Sequence, residues 1–180
     1  GAQYALIETI TDARQIVYLN NVWDLAKRRV TRQTLADGGA YQFVYTEDGA
    51  GLITQTDVTD PRGYVRRVTF NASGYPLTDT YALGTPEAQR TTYVRNVPNL
   101  PYSNLVSRVT DALNRNTDLT YDALANVLTV TRYLNSAPIT TSYTYEPAFN
   151  RVATISDALN HTTTFTYEAS GARHLQSIAD

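Results

Sequence analysis

The chain has 180 residues, of which 42% are hydrophobic and 18% are charged, and its formal net charge is −2. This length suffices for one domain with a sizeable core, and the apolar content excludes a disordered chain. The lack of a basic excess argues against a surface that binds the phosphates of a nucleic acid. No apolar run approaches the roughly 18 residues that a membrane helix needs, and the absence of Cys excludes disulfides and thiolate metal sites.

The composition favours β-strands. The chain contains 14 Tyr and 27 Thr, residue types that fit a pleated, half-buried surface. Apolar stripes at the helical spacing i, i+3, i+4 are missing throughout, so any helix is local. The sequence therefore predicts an all-β protein with almost no helix.

A frame recurs along the chain, in which a Thr-Asp or Ser-Asp pair is followed by a strand that ends in an aromatic and a polar residue. The first copy runs from Asp12 to Asp24, a spacing of 24 − 12 = 12. The next three copies each span 11 residues, from Asp60 to Asn71, from Asp111 to Asp122 and from Asp157 to Glu168. Three identical spacings with matching side-chain classes indicate an internal repeat.

Each long period splits into two halves. Further turn signals lie near the middle of the periods, at Asp37-Gly38-Gly39, Leu83–Pro86 and Asn135–Pro138. A half-repeat of about 24 residues suits one strand–turn–strand unit, so residues 1–180 are predicted to form a single array of about seven half-repeats and about fourteen strands. The sequence begins and ends at the same position within the repeat, and it contains no Met. We therefore expect a piece of a longer array that is uncapped at both ends and open to end-to-end self-association.

The strand ends explain the spacing. Period-2 alternation puts Thr163, Phe165 and Tyr167 on one face of their strand. The acid or amide that follows can accept hydrogen bonds from main-chain N–H groups two residues on, and a later Gly or Asn supplies a left-handed residue. The residues that define the repeat are predicted to be Asp60, Phe70, Asn71, Asp111, Tyr121, Asp122, Tyr145, Glu146, Asp157, Tyr167 and Glu168.

These aromatic–acid turns and their Thr-Asp partners resemble the YD repeat, also called the RHS repeat. Family members include RHS and polymorphic toxins, the B and C components of insecticidal toxin complexes, and teneurin-like proteins. The resemblance implies antiparallel β-hairpins that form a twisted ribbon or spiral, an open segment of a β-shell. It also implies a structural role in a large secreted or cell-surface protein, where the shell encapsulates or presents a C-terminal toxin domain.

The residues offer little for catalysis, and we expect no enzyme, cofactor or metal site. The two His residues, His161 and His174, have no partner at metal-ligand spacing. Asp60-Pro61-Arg62-Gly63 resembles the D-P-x-G self-cleavage motif of the family, but it lies inside an ordinary Thr-Asp turn. The expected partners are neighbouring repeats and a C-terminal domain, with no nucleic acid and no membrane span.

Two other functions remain open. Regularly placed tyrosines such as Tyr121 and Tyr167 could form a surface that stacks against sugars, which makes a carbohydrate- or cell-surface-binding module the main alternative. A hydrolase is the third possibility, although two carboxyl groups facing each other across a cleft are not what repeat turns provide.

Overall fold

The computed structural model describes residues 6–95, 104–168 and 174–180, and none of these residues is helical. They form fifteen strands, against about fourteen expected. The strands are β1 Thr9–Thr11, β2 Val17–Asp24, β3 Arg29–Leu35, β4 Ala40–Glu47, β5 Ile53–Thr59, β6 Val65–Phe70, β7 Pro76–Tyr81, β8 Gln89–Val94, β9 Arg108–Thr110, β10 Asn116–Tyr121, β11 Val127–Leu134, β12 Ala137–Glu146, β13 Arg151–Ser156, β14 Thr162–Tyr167 and β15 Leu175–Ala179.

The strands divide between two compact units, Gly1–Thr91 and Thr92–Asp180. In the first unit, β1 to β7 pair in chain order, each antiparallel to the next. In the second unit, residues 92–94 of β8 and the strands β9 to β15 do the same. The all-β fold class with antiparallel hairpin repeats is therefore confirmed. No helix long and apolar enough to span a membrane occurs in the described part of the chain.

One face of the second unit is covered with hydroxyl groups. Thr and Ser side chains on neighbouring strands lie opposite each other and form hydrogen bonds of 2.6–2.9 Å. The pairs are Thr120–Thr129, Thr131–Thr140, Thr144–Thr154, Ser156–Thr162 and Thr166–Ser177. Such cross-strand pairs stabilise a sheet whose face is wet, which accounts for the high Thr content.

The other face of the second unit contains pairs of aromatic and aliphatic residues, interspersed with Thr and Arg side chains. Since neighbouring residues of a strand point to opposite faces, the residues that alternate with the hydroxyl pairs meet each other here. Leu119 lies opposite Val130, Tyr143 opposite Ile155 and Phe165 opposite Ile178. The strands of this unit therefore have one face of hydroxyl pairs and one face on which apolar residues meet.

The described residues contain no buried hydrophobic side chain. Thr80, at 8% exposure, is the one buried residue among them; the apolar residues named on the second face are half-buried, except for Ile178 on the last strand, which is exposed. The length of the chain permitted a sizeable core, but the two units are hairpin ladders, in which the apolar residues contact mainly their strand neighbours. Their stability must therefore come from strand pairing, cross-strand pairs and turns.

Candidate functional site

The candidate site is the set of strand ends where the repeat-defining residues lie. In seven turns the first residue is Asp or Asn, and its Oδ1 accepts main-chain N–H bonds of 2.8–3.0 Å from the second and fourth residues after it. Its own N–H donates to the carbonyl of the fourth residue. The seven are Asp12, Asp48, Asp60, Asn71, Asp111, Asp122 and Asp157.

The sequence reasoning missed Asp48 as one of these turn residues. The signal that could have identified it is Gly51, three residues later, since the third residue after the acid has a positive φ in every one of the seven turns.

That left-handed position is occupied by Gly or Asn in five turns and by Gln15 and Ala125 in the other two. Ala125 has φ 68°, a conformation in which a Cβ crowds the backbone and costs about 1 kcal/mol. The turn keeps its shape despite this residue, because Asp122 Oδ1 still accepts the main-chain N–H groups of Leu124 and Asn126.

Glu146 closes a longer turn. Its carboxylate accepts hydrogen bonds from the main-chain N–H groups of Ala148, Phe149 and Arg151, and the extra methylene of Glu provides the reach that the extra loop residue requires. The N–H of Glu168 donates to the carbonyl of His174 at 3.1 Å. The Ala169-Ser170-Gly171 segment expected to complete that turn lies outside the described residues.

Tyrosine hydroxyls secure the same strand ends. Four of them donate to main-chain carbonyls of the preceding strand segment at 2.7–2.9 Å. The pairs are Tyr45 with Val30, Tyr121 with Val106, Tyr145 with Val127, and Tyr167 with Val152. In the first repeat, Trp23 Nε1 donates in the same way to the carbonyl of Ile7 at 3.1 Å.

The reason for a hydroxyl at this position is visible at β12. The pairing of β12 with β11 extends only to Thr129–Ser142. Beyond that pair, the Tyr145 hydroxyl donates a hydrogen bond to the Val127 carbonyl. The strand register also shifts between Thr144 and Tyr145, a bulge that re-aims the ring. Burial raises the pKa of the Tyr145 hydroxyl, so it remains a donor.

Phe70 occupies the equivalent position without a hydroxyl. Here the ladder between β5 and β6 continues to the pair Gln55–Thr69, next to Phe70 itself. Because strand pairing reaches the end of β6, an apolar ring is sufficient at this position.

Successive turns are also joined to each other. Asn126, which ends the Asp122 turn, and Asn150, in the Glu146 turn, exchange two side-chain amide hydrogen bonds of 2.6 and 2.8 Å. The two residues are 24 apart, which equals the half-repeat. This amide pair links one hairpin to the next along the edge where these turns lie.

Hydrogen bonds lower the pKa of several turn carboxylates. Hydrogen bonds from the Arg115 side chain and main-chain N–H lower the pKa of Asp111. The Asn126 side-chain amide does the same for the pKa of Asp122, and the main-chain N–H of His161 for that of Asp157. A carboxylate engaged in this way is a poor proton donor and a poor base, so its role is to order the turn.

No obvious reaction centre arises from these residues. The carboxylate of Asp60, in the D-P-x-G look-alike, accepts bonds from the N–H groups of Arg62 and Tyr64, as in the other turns. The exposed ring of His161 lies 3.0 Å from Asp157, and the described residues contain no group of three side chains able to hold a metal ion. That the chain is not an enzyme stays a prediction.

Comparison of three-dimensional structures finds a related fold in the Photorhabdus luminescens Tc holotoxin pore, with a TM-score of 0.64 and 16% identity. The match covers 90% of this chain and 9% of that one, so the chain spans about a tenth of its length. TcdB2-TccC3 and a porin-like protein from Bacteroides uniformis match 89% of the chain with TM-scores of 0.37 and 0.43 and identities of 13% and 14%. These two matches cover 11% and 80% of the respective chains and carry no argument. No protein-family model and no curated protein sequence matches the chain.

The likeness to the holotoxin confirms the fold that the aromatic–acid turns predicted. The chain has an RHS/YD-repeat-like fold, built from hairpins whose ends are closed by the residues described above.

The strain at Ala125 leads to the first testable prediction. Replacing it (Ala125→Gly) should stabilise the chain by about 1 kcal/mol, because Gly adopts the left-handed conformation without a Cβ clash. The matched control is Gly74→Ala, which puts a Cβ at φ 80° with nothing within 4 Å and should destabilise by a similar amount. Urea unfolding measures both; equal stabilities of the two variants would contradict the prediction.

The tyrosine hydroxyls give a second prediction. Tyr145→Phe should lower the free energy of unfolding by about 1 kcal/mol, because the Val127 carbonyl loses its donor. Tyr143→Phe is the control, since it lies on the same strand and its hydroxyl has no hydrogen-bond partner among the described residues. A comparable loss in both variants, measured by thermal unfolding, would show that the hydroxyl bond is not the cause.

The lowered carboxylate pKa values predict acid sensitivity. A carboxyl whose pKa is lower in the folded state stabilises the fold above its unfolded pKa, and this contribution is lost as the pH falls from about 5 to 2. Asp111→Asn keeps a side-chain acceptor, as Asn71 does, but removes the charge and the Arg115 ion pair. The variant should unfold below the wild-type temperature at neutral pH, and the gap should close in acid. A gap independent of pH would contradict this.

Proposed function

We propose that the chain is a structural repeat segment of a large extracellular protein, where it builds part of a β-shell that encapsulates or presents a C-terminal toxin domain. The observation that carries the proposal is the repetition of one hairpin whose acidic and aromatic groups are engaged in holding their own turns and strand ends. Side chains used in this way stabilise the hairpins of a shell, and few acidic and aromatic side chains remain for catalysis.

The fold adds support. Its likeness to a part of the Tc holotoxin pore is a likeness to a small portion of a much longer chain, as expected for a segment of a wall. Neighbouring repeats and a C-terminal domain are the partners that such a segment would have. The proposal includes no catalytic activity of the chain itself.

Tyr121 and Tyr167, the residues first considered for sugar stacking, have other roles in the structure. Their hydroxyls bind the Val106 and Val152 carbonyls, and their rings are half-buried within the ladder. The Arg151 guanidinium lies 3.9 Å from the centre of the Tyr167 ring. This geometry does not favour glycan binding at these two positions.

Protease protection in the full-length protein tests the shell proposal. The segment after the repeats should resist protease in the native protein and become cleavable when two turns are broken by Asp111→Ala and Asp122→Ala. These changes remove the acceptors of four main-chain N–H bonds. The control is Leu113→Ser, which changes a 72% exposed side chain in the same turn and should preserve protection.

Equal cleavage of the C-terminal segment in the native protein and in the double variant would contradict the proposal. Circular dichroism of each variant verifies that β-structure persists outside the altered turns. Release of an active C-terminal domain only from the double variant would be the strongest support.

A further inference from the structure

One edge of the second unit carries a row of exposed leucines. Consecutive turns of an antiparallel ladder lie at alternate edges, so the turns between β9 and β10, between β11 and β12, and between β13 and β14 share one edge. Each of these three turns presents one leucine, which we call together the leucine row. Its members are Leu113, Leu134 and Leu159, with exposed fractions of 72%, 62% and 75%.

The leucines of the outer turns are not needed to bind the turn carboxylate. In two turns of the first unit the second residue after the acid is arginine, and its guanidinium binds Oδ2 of that acid, as Arg62 does for Asp60. In the Asp111 turn, Oδ2 accepts a hydrogen bond of 2.7 Å from the fourth residue, Arg115, instead. The second position has no such task there, and it holds the outward side chain of Leu113.

The leucine row has an internal symmetry. The first and third turns begin with the same four residues, Asp-Ala-Leu-Asn, at 111–114 and at 157–160. Each of them lies two strands from the middle turn, which corresponds to about 10 Å at the ordinary spacing of β-strands. A rotation of 180° about an axis through the middle turn therefore exchanges the positions of Leu113 and Leu159 and keeps Leu134 near the axis.

We propose that this edge binds the same edge of a second copy of the chain, about a two-fold axis through the middle turn. Leu113 of one copy packs against Leu159 of the other, and the two copies of Leu134 contact each other. A surface whose features are exchanged by a two-fold rotation is what a contact between identical patches requires. The proposal does not rest on the shell function.

The charges of the outer turns select the direction of the pairing. A second two-fold arrangement, in which each turn faces its own copy, would bring together two Asp157 carboxylates, whose side chains are 50% exposed. It would also bring together two Arg115 side chains. The proposed arrangement places Arg115 of one copy opposite Asp157 of the other, so opposite charges face each other at both ends of the row.

Sedimentation equilibrium of the 180-residue chain tests the contact. Three leucines per copy bury much less than the roughly 1,200 Å² of a stable complex, so we expect a reversible dimer with a dissociation constant of the order of 0.1 mM. The double variant Leu113→Ser/Leu159→Ser should weaken dimerisation by about tenfold or more. The control is Leu124→Ser, which changes a 67% exposed leucine at the equivalent turn position on the opposite edge and should leave the dissociation constant unchanged.

Single cysteines report the direction of the pairing, because the chain contains no Cys. In a glutathione redox buffer, a mixture of Leu113→Cys and Leu159→Cys should form the mixed disulfide, and Leu134→Cys should form a disulfide with its own copy. Preferential disulfides between two copies of Leu113→Cys would contradict the proposed arrangement. Circular dichroism verifies that each variant keeps the β-structure of the wild-type chain.

Other occupants of the edge give different results. The proposal is overturned if the chain remains monomeric up to about 1 mM, if association continues beyond the dimer, or if the double variant associates like the wild type. Phosphatidylcholine vesicles provide a further comparison. A chain that stays monomeric but binds these vesicles, with loss of binding in the double variant, would assign the leucine row to a lipid surface and would also overturn the proposal.

Discussion

The hydrogen bonds from main-chain N–H groups to a turn carboxylate or amide are the interaction on which the rest of the structure depends. In a protein with a core, buried apolar side chains fix where each hairpin reverses. Here the described residues have no buried hydrophobic side chain, so the reversal must be fixed locally. Oδ1 of a single Asp or Asn satisfies two N–H groups within five residues and determines the shape of the turn without help from distant parts of the chain.

The two faces of the strands stabilise the pairing of neighbouring strands in different ways. Hydroxyl pairs hold neighbouring strands together on the wet face, and aromatic and aliphatic pairs do so on the other. Where the ladder stops short of a strand end, a tyrosine hydroxyl supplies the missing donor, and where the ladder continues, as beside Phe70, no hydroxyl is needed. The choice between Tyr and Phe at this position follows the extent of strand pairing.

Much of this could be predicted because the determining interactions are local in sequence. The turns at Asp60 and Asp157 depend on residues within four positions, and the regular spacing revealed them. The Tyr145–Val127 bond was not predictable in the same way, because it depends on the register between two strands. Tyr145 and Val127 lie 18 residues apart, and the pairing of β11 with β12 brings them together.

The self-contained turn has a consequence for how such a protein can change over evolutionary time. All the bonds that define the Asp122 turn lie between residues 122 and 126, so deleting or duplicating one whole hairpin breaks few contacts beyond the strands at the junction. Unequal recombination between similar coding repeats can therefore lengthen or shorten the array in whole-hairpin steps. Adding or removing one hairpin adds or removes two antiparallel strands. The direction of every later strand is therefore unchanged, and each turn stays at the same edge of the sheet. The length of the gene can therefore change under selection while the fold of each hairpin stays the same.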